Sequence, residues 1–138
     1  MTDHHHLDRG LQAEYAAIYA AETLLPEVSG AERSAVEQTL AAHRELRLAL
    51  FDVYDQEDWS IPKAEPAYEI DDSEDTTTIL VEIEQRVATT WRAGCASGND
   101  TERKQCVAAL ETAAINLVRL KASQGSSIIN PWPGRTDG

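Results

Sequence analysis

Positively charged side chains are scarce in this chain of 138 residues, which holds 12 lysines and arginines against 24 aspartates and glutamates. The formal net charge of −12 repels phosphate groups, so the composition argues against binding to nucleic acid or to an anionic membrane surface. Long apolar runs are missing too, and without about 18 consecutive apolar residues we expect no transmembrane helix. Residues 1–9 lack the charged and then apolar pattern of a signal peptide, which predicts a cytoplasmic protein.

Cysteine is limited to Cys95 and Cys106, which are not arranged as a CxxC motif. Both are almost equally distant from the predicted turn near Asp100, so a disulfide is conceivable if their Cα atoms lie within about 7 Å. A cytoplasmic protein favours two buried thiols instead. The sequence also lacks a glycine-rich phosphate loop and a Ser-His-Asp arrangement, so it offers no motif of a common enzyme class.

Proline and glycine are few, and most of them fall between segments whose apolar residues recur with the spacing of one helix face. Alanine, leucine, glutamate and glutamine, which favour helices, dominate the composition. Ser29 and Asn99 are predicted N-caps, each followed by a glutamate three residues later. The sequence therefore predicts one all-α domain over residues 1–138, with helices at about 3–25, 29–55, 74–97 and 99–124.

The connections between these helices indicate how they are arranged. Two connections are short, which favours two antiparallel helical hairpins. Segment 57–73 contains two prolines and is predicted to be an irregular crossover. When extended, about 17 residues reach up to roughly 58 Å, whereas a helix of about 24 residues is roughly 36 Å long. A crossover along the whole bundle is therefore favoured, and an up-down-up-down bundle with a decorative loop remains the alternative.

The tail at 125–138 is predicted to be non-helical, because it contains Pro131 and Pro133. Its apolar residues Ile128, Ile129 and Trp132 are expected to pack it back against the helices. At the other end of the chain, a tract of three histidines, His4, His5 and His6, could bind metal loosely, but a disordered terminus is the default expectation.

Three polar residues lie on the apolar stripes of the first three helices, each near the middle of its helix: Glu14, His43 and Glu84. A buried carboxylate is costly unless it is paired or coordinates a metal, so these residues predict a polar centre inside a helix bundle. Glu111 lies at the edge of the fourth stripe. The buried residues of that stripe are expected to be Val107, Leu110, Ala113, Ala114, Leu117 and Leu120.

Two hairpins joined by a crossover, with carboxylates and histidine in the central layer, resemble the ferritin-like fold. Di-iron members of that fold carry a glutamate on the first and third helices and a Glu-x-x-His motif on the second and fourth. Glu14 and Glu84 fit the single glutamates. His43 fits the second-helix histidine and Glu111 the fourth-helix glutamate. The other two ligands are absent, because leucine and alanine occupy their positions, 40 and 114.

The resemblance therefore leaves at most four of six ligands, too few for two iron ions. One iron, manganese or zinc ion held by Glu14, His43, Glu84 and Glu111 remains one interpretation. The other is a hydrogen-bonded cluster without metal, in which a protonated His43 lies between two carboxylates. Tyr15 or Arg47 would join that cluster.

Short pieces of the chain, in order, resemble a bacterial ferritin-like domain family of unknown function. They are 11–20 (LQAEYAAIYA), 42–44 (AHR), 66–68 (PAY), Glu84 and 131–134 (PWPG). The resemblance implies a ferritin-like bundle and no assigned activity. The family commonly has histidine at position 15 and phenylalanine at position 132, where this chain has tyrosine and tryptophan.

We therefore predict an all-α, ferritin-like four-helix bundle that is non-enzymatic, needs no cofactor and forms a homodimer. Its metal site is expected to be degenerate, replaced by a buried Glu-His-Glu cluster. One alternative is a mononuclear metal oxidase or metal-handling protein. The other is a module that binds a small ligand or partner, with a pocket at the centre or beneath the crossover, lined by Tyr15, Tyr19 and Trp91.

Overall fold

The computed structural model describes residues 4–70 and 74–127, and these form helices and no strand. The prediction of an all-helical chain is therefore confirmed for this part. Within it, no helix is long and apolar enough to cross a membrane. Short 3-10 turns follow the first and third helices, at Leu25–Glu27 and Gly94–Ala96. The four α-helices are α1 (His5–Leu24), α2 (Gly30–Gln56), α3 (Thr76–Ala93) and α4 (Asp100–Ser127).

The predicted N-cap of α4, Asn99, is confirmed. For α2 the predicted position of the N-cap is right, but the predicted hydrogen bond is absent. Asn99 accepts a hydrogen bond from the backbone N–H of Glu102 through its side-chain oxygen, at 3.2 Å. Ser29 occupies the N-cap position of α2, but its side chain makes no capping hydrogen bond. α4 also continues through Gly125 to Ser127, past its predicted end. The expected packing of the tail lies outside the described residues.

The start of α1 is capped by a residue from α4. His4, at the N-cap position, makes no side-chain capping bond. Instead, Glu102 accepts the backbone N–H of Leu7 at 3.0 Å, and its other oxygen accepts the Ser97 hydroxyl at 2.6 Å. Glu102 is fully buried, so the carboxylate shares, in the interior, a helix N–H that also donates to the backbone oxygen of His4 at 3.0 Å.

The expectation of a disordered start does not hold for the three histidines. Helix α1 begins at His5, and the ring of His4 stacks on Trp59 with 4.0 Å between ring centroids. The same Trp59 ring meets Tyr54 edge to face. The histidine tract is therefore part of the packed structure at this end of the molecule.

The two helices of each hairpin run in opposite directions. Along α1 and α2, Asp8 bonds Tyr54 and Glu14 bonds His43, so residue numbers rise on one helix as they fall on the other. Helices α3 and α4 show the same pattern, since Thr78 contacts Gln124 and Glu84 contacts Asn116. Helix α1 also packs against α3, and α2 against α4.

Segment 57–70 lies along α1. The backbone oxygen of Pro62 accepts the Tyr15 hydroxyl at 2.7 Å, and that of Lys63 accepts the Gln12 side-chain amide at 2.9 Å. Further along, the ring of Tyr68 meets that of Tyr19. The segment thus runs from the first residues of α1 toward its C-terminal half.

Buried apolar side chains form two clusters, one toward each end of the helices. The first contains Leu7, Leu11, Leu50, Tyr54 and Trp91, and the second contains Ile18, Val36, Leu40, Leu80 and Leu120. Between Leu11 and Ile18, helix α1 places Glu14 in the interior. The polar residues are therefore enclosed by apolar layers on both sides, which removes water from their surroundings.

The predicted stripe of α4 is correct in part, because Ala113 and Leu120 are buried and Leu110 and Leu117 pack half-buried against the core, but the buried face is rotated away from the rest of the stripe. Val107 is 44% exposed and Ala114 is exposed, although both were expected to be buried. The face that the structure buries carries small and polar residues: Glu102, Cys106, Ala109, Ala113, Asn116, Leu120 and Ser123. The most apolar side chains of α4 thus do not all face the core.

Gly10 creates the space in which Trp91 packs. A Cβ atom at position 10 would lie 2.2 Å from two ring carbons of Trp91, which no real contact allows. We expect Gly10→Ala to lower the free energy of unfolding by about 1–3 kcal/mol, because the ring must shift. Urea unfolding measures the change. The control is Gly125→Ala, where a Cβ would meet no described atom and should stabilise the helix by about 1 kcal/mol. Equal effects at both positions would contradict this account.

Candidate functional site

His43 lies at the centre of a buried polar cluster and contacts two carboxylates. Its Nδ1 is 2.5 Å from Glu14 Oε1, and its Nε2 is 2.8 Å from Glu84 Oε1. All three side chains are at most 2% exposed. The structure therefore brings together the three residues that the apolar stripes of α1, α2 and α3 singled out. Beside an ionised carboxylate a ring nitrogen can only donate, so these two contacts suit an imidazolium with hydrogen on both nitrogens.

The cluster extends on both sides through residues that were not predicted to belong to it. Trp91 Nε1 donates to Glu14 Oε2 at 2.8 Å. Asn116 Nδ2 donates to Glu84 Oε2 at 3.1 Å, and the Asn116 oxygen accepts Arg119 Nη1 at 2.8 Å. We call these six residues the central network: Trp91, Glu14, His43, Glu84, Asn116 and Arg119. All four helices contribute to it.

The carboxylates hold His43 in its charged form. Burial lowers the pKa of His43, because an imidazolium loses hydration in the interior. Hydrogen bonds and charge attraction from Glu14 and Glu84 outweigh burial and raise the pKa from 6.5 to about 10. His43 is therefore protonated at neutral pH. A buried histidine that is charged requires nearby negative charge, which the two glutamates supply.

The charges of the central network balance. Two carboxylates, Glu14 and Glu84, face one buried imidazolium, and Arg119 brings a second positive charge through Asn116. Arg119 is half-buried and lies at a groove between α2 and α4 of about 320 Å³, together with Asn116. The network therefore runs from Trp91 in the apolar interior to a guanidinium at the surface, with no net charge.

Glu111 does not join this cluster. Its side chain is exposed on α4, and Asn116 is the α4 residue that meets Glu84. The two other predicted members are also elsewhere. Tyr15 donates to the Pro62 oxygen rather than to the cluster, and the network as hydrogen-bonded does not include Arg47. The fourth helix thus contributes an amide where a carboxylate was expected.

The donor set is ill suited to a single metal ion. The two nitrogens of His43 point to opposite sides of the ring, so Glu14 and Glu84 do not converge on one point. A protonated imidazole has no free lone pair for a metal. Among residues 4–70 and 74–127, no group of three or more histidine, cysteine, aspartate or glutamate side chains is arranged to hold a metal ion.

The two cysteines are free thiols, in line with the prediction that favoured thiols over a disulfide. Cys106 is buried, and burial together with the charge of Glu102 and the nearby Cys95 raises its pKa from 9.0 to about 12. A thiol with so high a pKa is a poor nucleophile, because the reactive species is the thiolate.

A cavity of about 610 Å³ lies between α1 and α3, beneath the end of segment 57–70. Its position matches one of the two predicted locations, but its lining does not. None of Tyr15, Tyr19 and Trp91 lines it. Small and aliphatic residues line it together with Tyr68 and three charged residues, Glu69, Glu82 and Arg86. The three aromatic residues that were predicted to line a pocket therefore do not line this cavity.

Comparison with known proteins places the chain in a family without an assigned activity. The family is described as "Domain of unknown function (DUF4439)", and its profile matches residues 6–137. The chain belongs to this family. No curated protein sequence matches it. In three dimensions it is similar to the crystal structure of a conserved hypothetical protein, rv2844, from Mycobacterium tuberculosis, with a TM-score of 0.78. The two share 23% sequence identity over 91% of this chain and 92% of the other, so the likeness concerns the fold.

Proposed function

We propose that this protein is a ferritin-like four-helix bundle in which a hydrogen-bonded network has replaced the metal layer. Three features support the fold assignment. The two hairpins α1/α2 and α3/α4 are antiparallel, α1 packs on α3 and α2 on α4, and segment 57–70 follows the length of α1. This is the arrangement expected when a long crossover joins two hairpins.

We further propose that the protein is non-enzymatic, needs no cofactor, and acts by binding and assembly. The observation that carries this proposal is the position of His43, whose two nitrogens each lie within hydrogen-bond distance of a different glutamate. The side chains that would bind metal in a ferritin-like centre, Glu14, His43 and Glu84, therefore pair with one another instead. A network that is buried, charge-balanced and fully paired suits a structural role, because a reactive group needs access to a substrate.

The competing proposal is a mononuclear metal oxidase that uses Glu14, His43, Glu84 and Glu111. Metal analysis separates the two. Protein carrying His5→Gln and His6→Gln, so that these two histidines contribute no metal, is purified without chelator beside the same protein with His43→Gln. We expect well below one iron, manganese or zinc ion per chain in both proteins.

Nitrogen NMR of the wild-type protein provides an independent test, since an imidazolium has both nitrogens protonated. We expect two protonated ring nitrogens for His43 at neutral pH. About one metal ion per chain that disappears in the His43→Gln protein would overturn the proposal and make oxygen reactivity the next assay.

A further inference from the structure

The outer face of α4 is unusually apolar for a helix surface. Val107, Ile115 and Val118 are 44%, 59% and 70% exposed. They account for three of the five large apolar side chains that are exposed among the described residues, so the exposure is concentrated on one helix. Exposed apolar side chains that gather on one face mark a surface that binds a partner.

Two charged residues of this face are placed symmetrically about Ile115. Glu111 precedes it by four residues and Arg119 follows it by four, so all three lie on one side of the helix. Ala108 and Ala122 continue the face at either end. The order alanine, glutamate, isoleucine, arginine, alanine therefore has complementary charges at equal distances from its centre.

We propose that this face binds the same face of a second copy of the chain, around a two-fold axis that passes near Ile115. A two-fold axis across the helices makes the two α4 helices antiparallel. Ile115 then packs on Ile115 of the second copy, and Glu111 faces Arg119 of the second copy, twice. Alanine on both sides of this centre lets the two helices approach closely.

The charge of α4 favours a second copy of the chain as the partner that binds this face. A protein with a net charge of −12 repels its own copies, so self-association requires a face on which the charge is low. Helix α4 has four basic residues against three acidic ones, of which Glu102 is buried. It is the one helix of the four in which basic residues outnumber acidic ones. The second copy therefore meets two attractive ion pairs on a face without excess negative charge.

The central network orients the arginine of this interface. Arg119 uses one nitrogen, Nη1, for the oxygen of Asn116, and its guanidinium has further N–H groups that can donate to a carboxylate. Since Asn116 is fixed by the buried Glu84, the guanidinium is held in place before the second copy arrives. The proposal itself depends only on the surface of α4 and stands whether or not the buried layer holds a metal.

Sedimentation equilibrium at several protein concentrations tests the proposal. We expect the wild-type chain to have twice the 15.2 kDa mass of one copy. Ile115→Glu should give 15.2 kDa, because two carboxylates would meet on the axis. The control is Ile61→Glu, which adds the same charge at an exposed apolar residue of segment 57–70 and should leave the mass doubled.

Charge exchange tests the register. Glu111→Arg places arginines opposite one another and should raise the dissociation constant at least about tenfold. Arg119→Glu should do the same, and the protein with both substitutions should recover most of the lost affinity. Circular dichroism checks that each variant is folded. If Arg119→Glu does not fold, the proposal is tested by Glu111→Arg and Ile115→Glu, which change exposed residues. A wild-type monomer, a dimer that tolerates Ile115→Glu, or a folded double variant without recovery would overturn the proposal.

Discussion

Replacing His43 with leucine is expected to lower the free energy of unfolding by about 3–5 kcal/mol, because it leaves buried carboxylates without their charge partner. Glu14 and Glu84 are at most 2% exposed, so water cannot take over the role of the imidazolium. The volume of the side chain is nearly kept, which separates loss of charge from loss of packing. Urea unfolding followed by circular dichroism measures the change.

Two further variants make this result specific. His5→Leu applies the same substitution to an exposed histidine and should change stability by less than about 0.5 kcal/mol. Combining His43→Leu with Glu14→Gln and Glu84→Gln removes the unpaired charges, and the amide oxygens can still accept from Trp91 and Asn116. We expect this triple variant to recover much of the loss. A triple variant no more stable than His43→Leu alone would mean that charge pairing is not what the cluster contributes.

Wild-type stability is expected to fall as the pH rises above 6.5. The pKa of His43 is raised to about 10 in the folded protein, against 6.5 when the group is unperturbed. Below pH 6.5 both states are protonated and the contribution of His43 is fully present. Above it the unfolded chain releases its proton while the folded chain keeps it, so stability declines by about 1.4 kcal/mol per pH unit until the folded pKa is reached.

The window from pH 6.5 to about 8.0 isolates this effect, because below about pH 8.0 the thiol of the unfolded chain is still protonated. Cys106, whose pKa is raised from 9.0 by burial, and Tyr54, whose pKa is raised by burial and by Asp8, contribute only at higher pH. Urea midpoints measured across the window should decrease steadily for the wild type. The triple variant lacks the imidazolium and should show a nearly flat profile. A flat wild-type profile would instead indicate that His43 is neutral.

The polar centre could be predicted because its residues are polar at positions where the helix pattern calls for apolar ones. Glu14, His43 and Glu84 stand on stripes of apolar residues, where a charged side chain is too costly to occur without a partner. Each of them lies near the middle of its helix, so antiparallel packing brings them to one level. The helices themselves followed from the 3.6-residue period and from the prolines between them.

The buried face of helix α4 could be predicted only in part, because its apolar residues recur on a stripe that is rotated from the face that the structure buries. The structure buries Cys106, Ala109, Ala113 and Asn116, which are small or polar, whereas Val107, Ile115 and Val118 face outward. A prediction based on hydropathy therefore assigns the wrong rotation to the helix and places Glu111 closer to the core than it is. Asn116 was missed for this reason. The bond of Trp91 to Glu14 joins residues 77 positions apart, which no local pattern reveals.

The buried carboxylate of Glu102 has a consequence for the order in which the chain folds. It accepts the backbone N–H of Leu7, a residue 95 positions earlier, and His4 at the N-cap position makes no side-chain capping bond. During synthesis the first turn of α1 is made long before α4 exists, so it frays until the last helix docks. The amide of Leu7 should therefore exchange with solvent only when the whole domain opens, which makes a terminal residue a reporter of global unfolding.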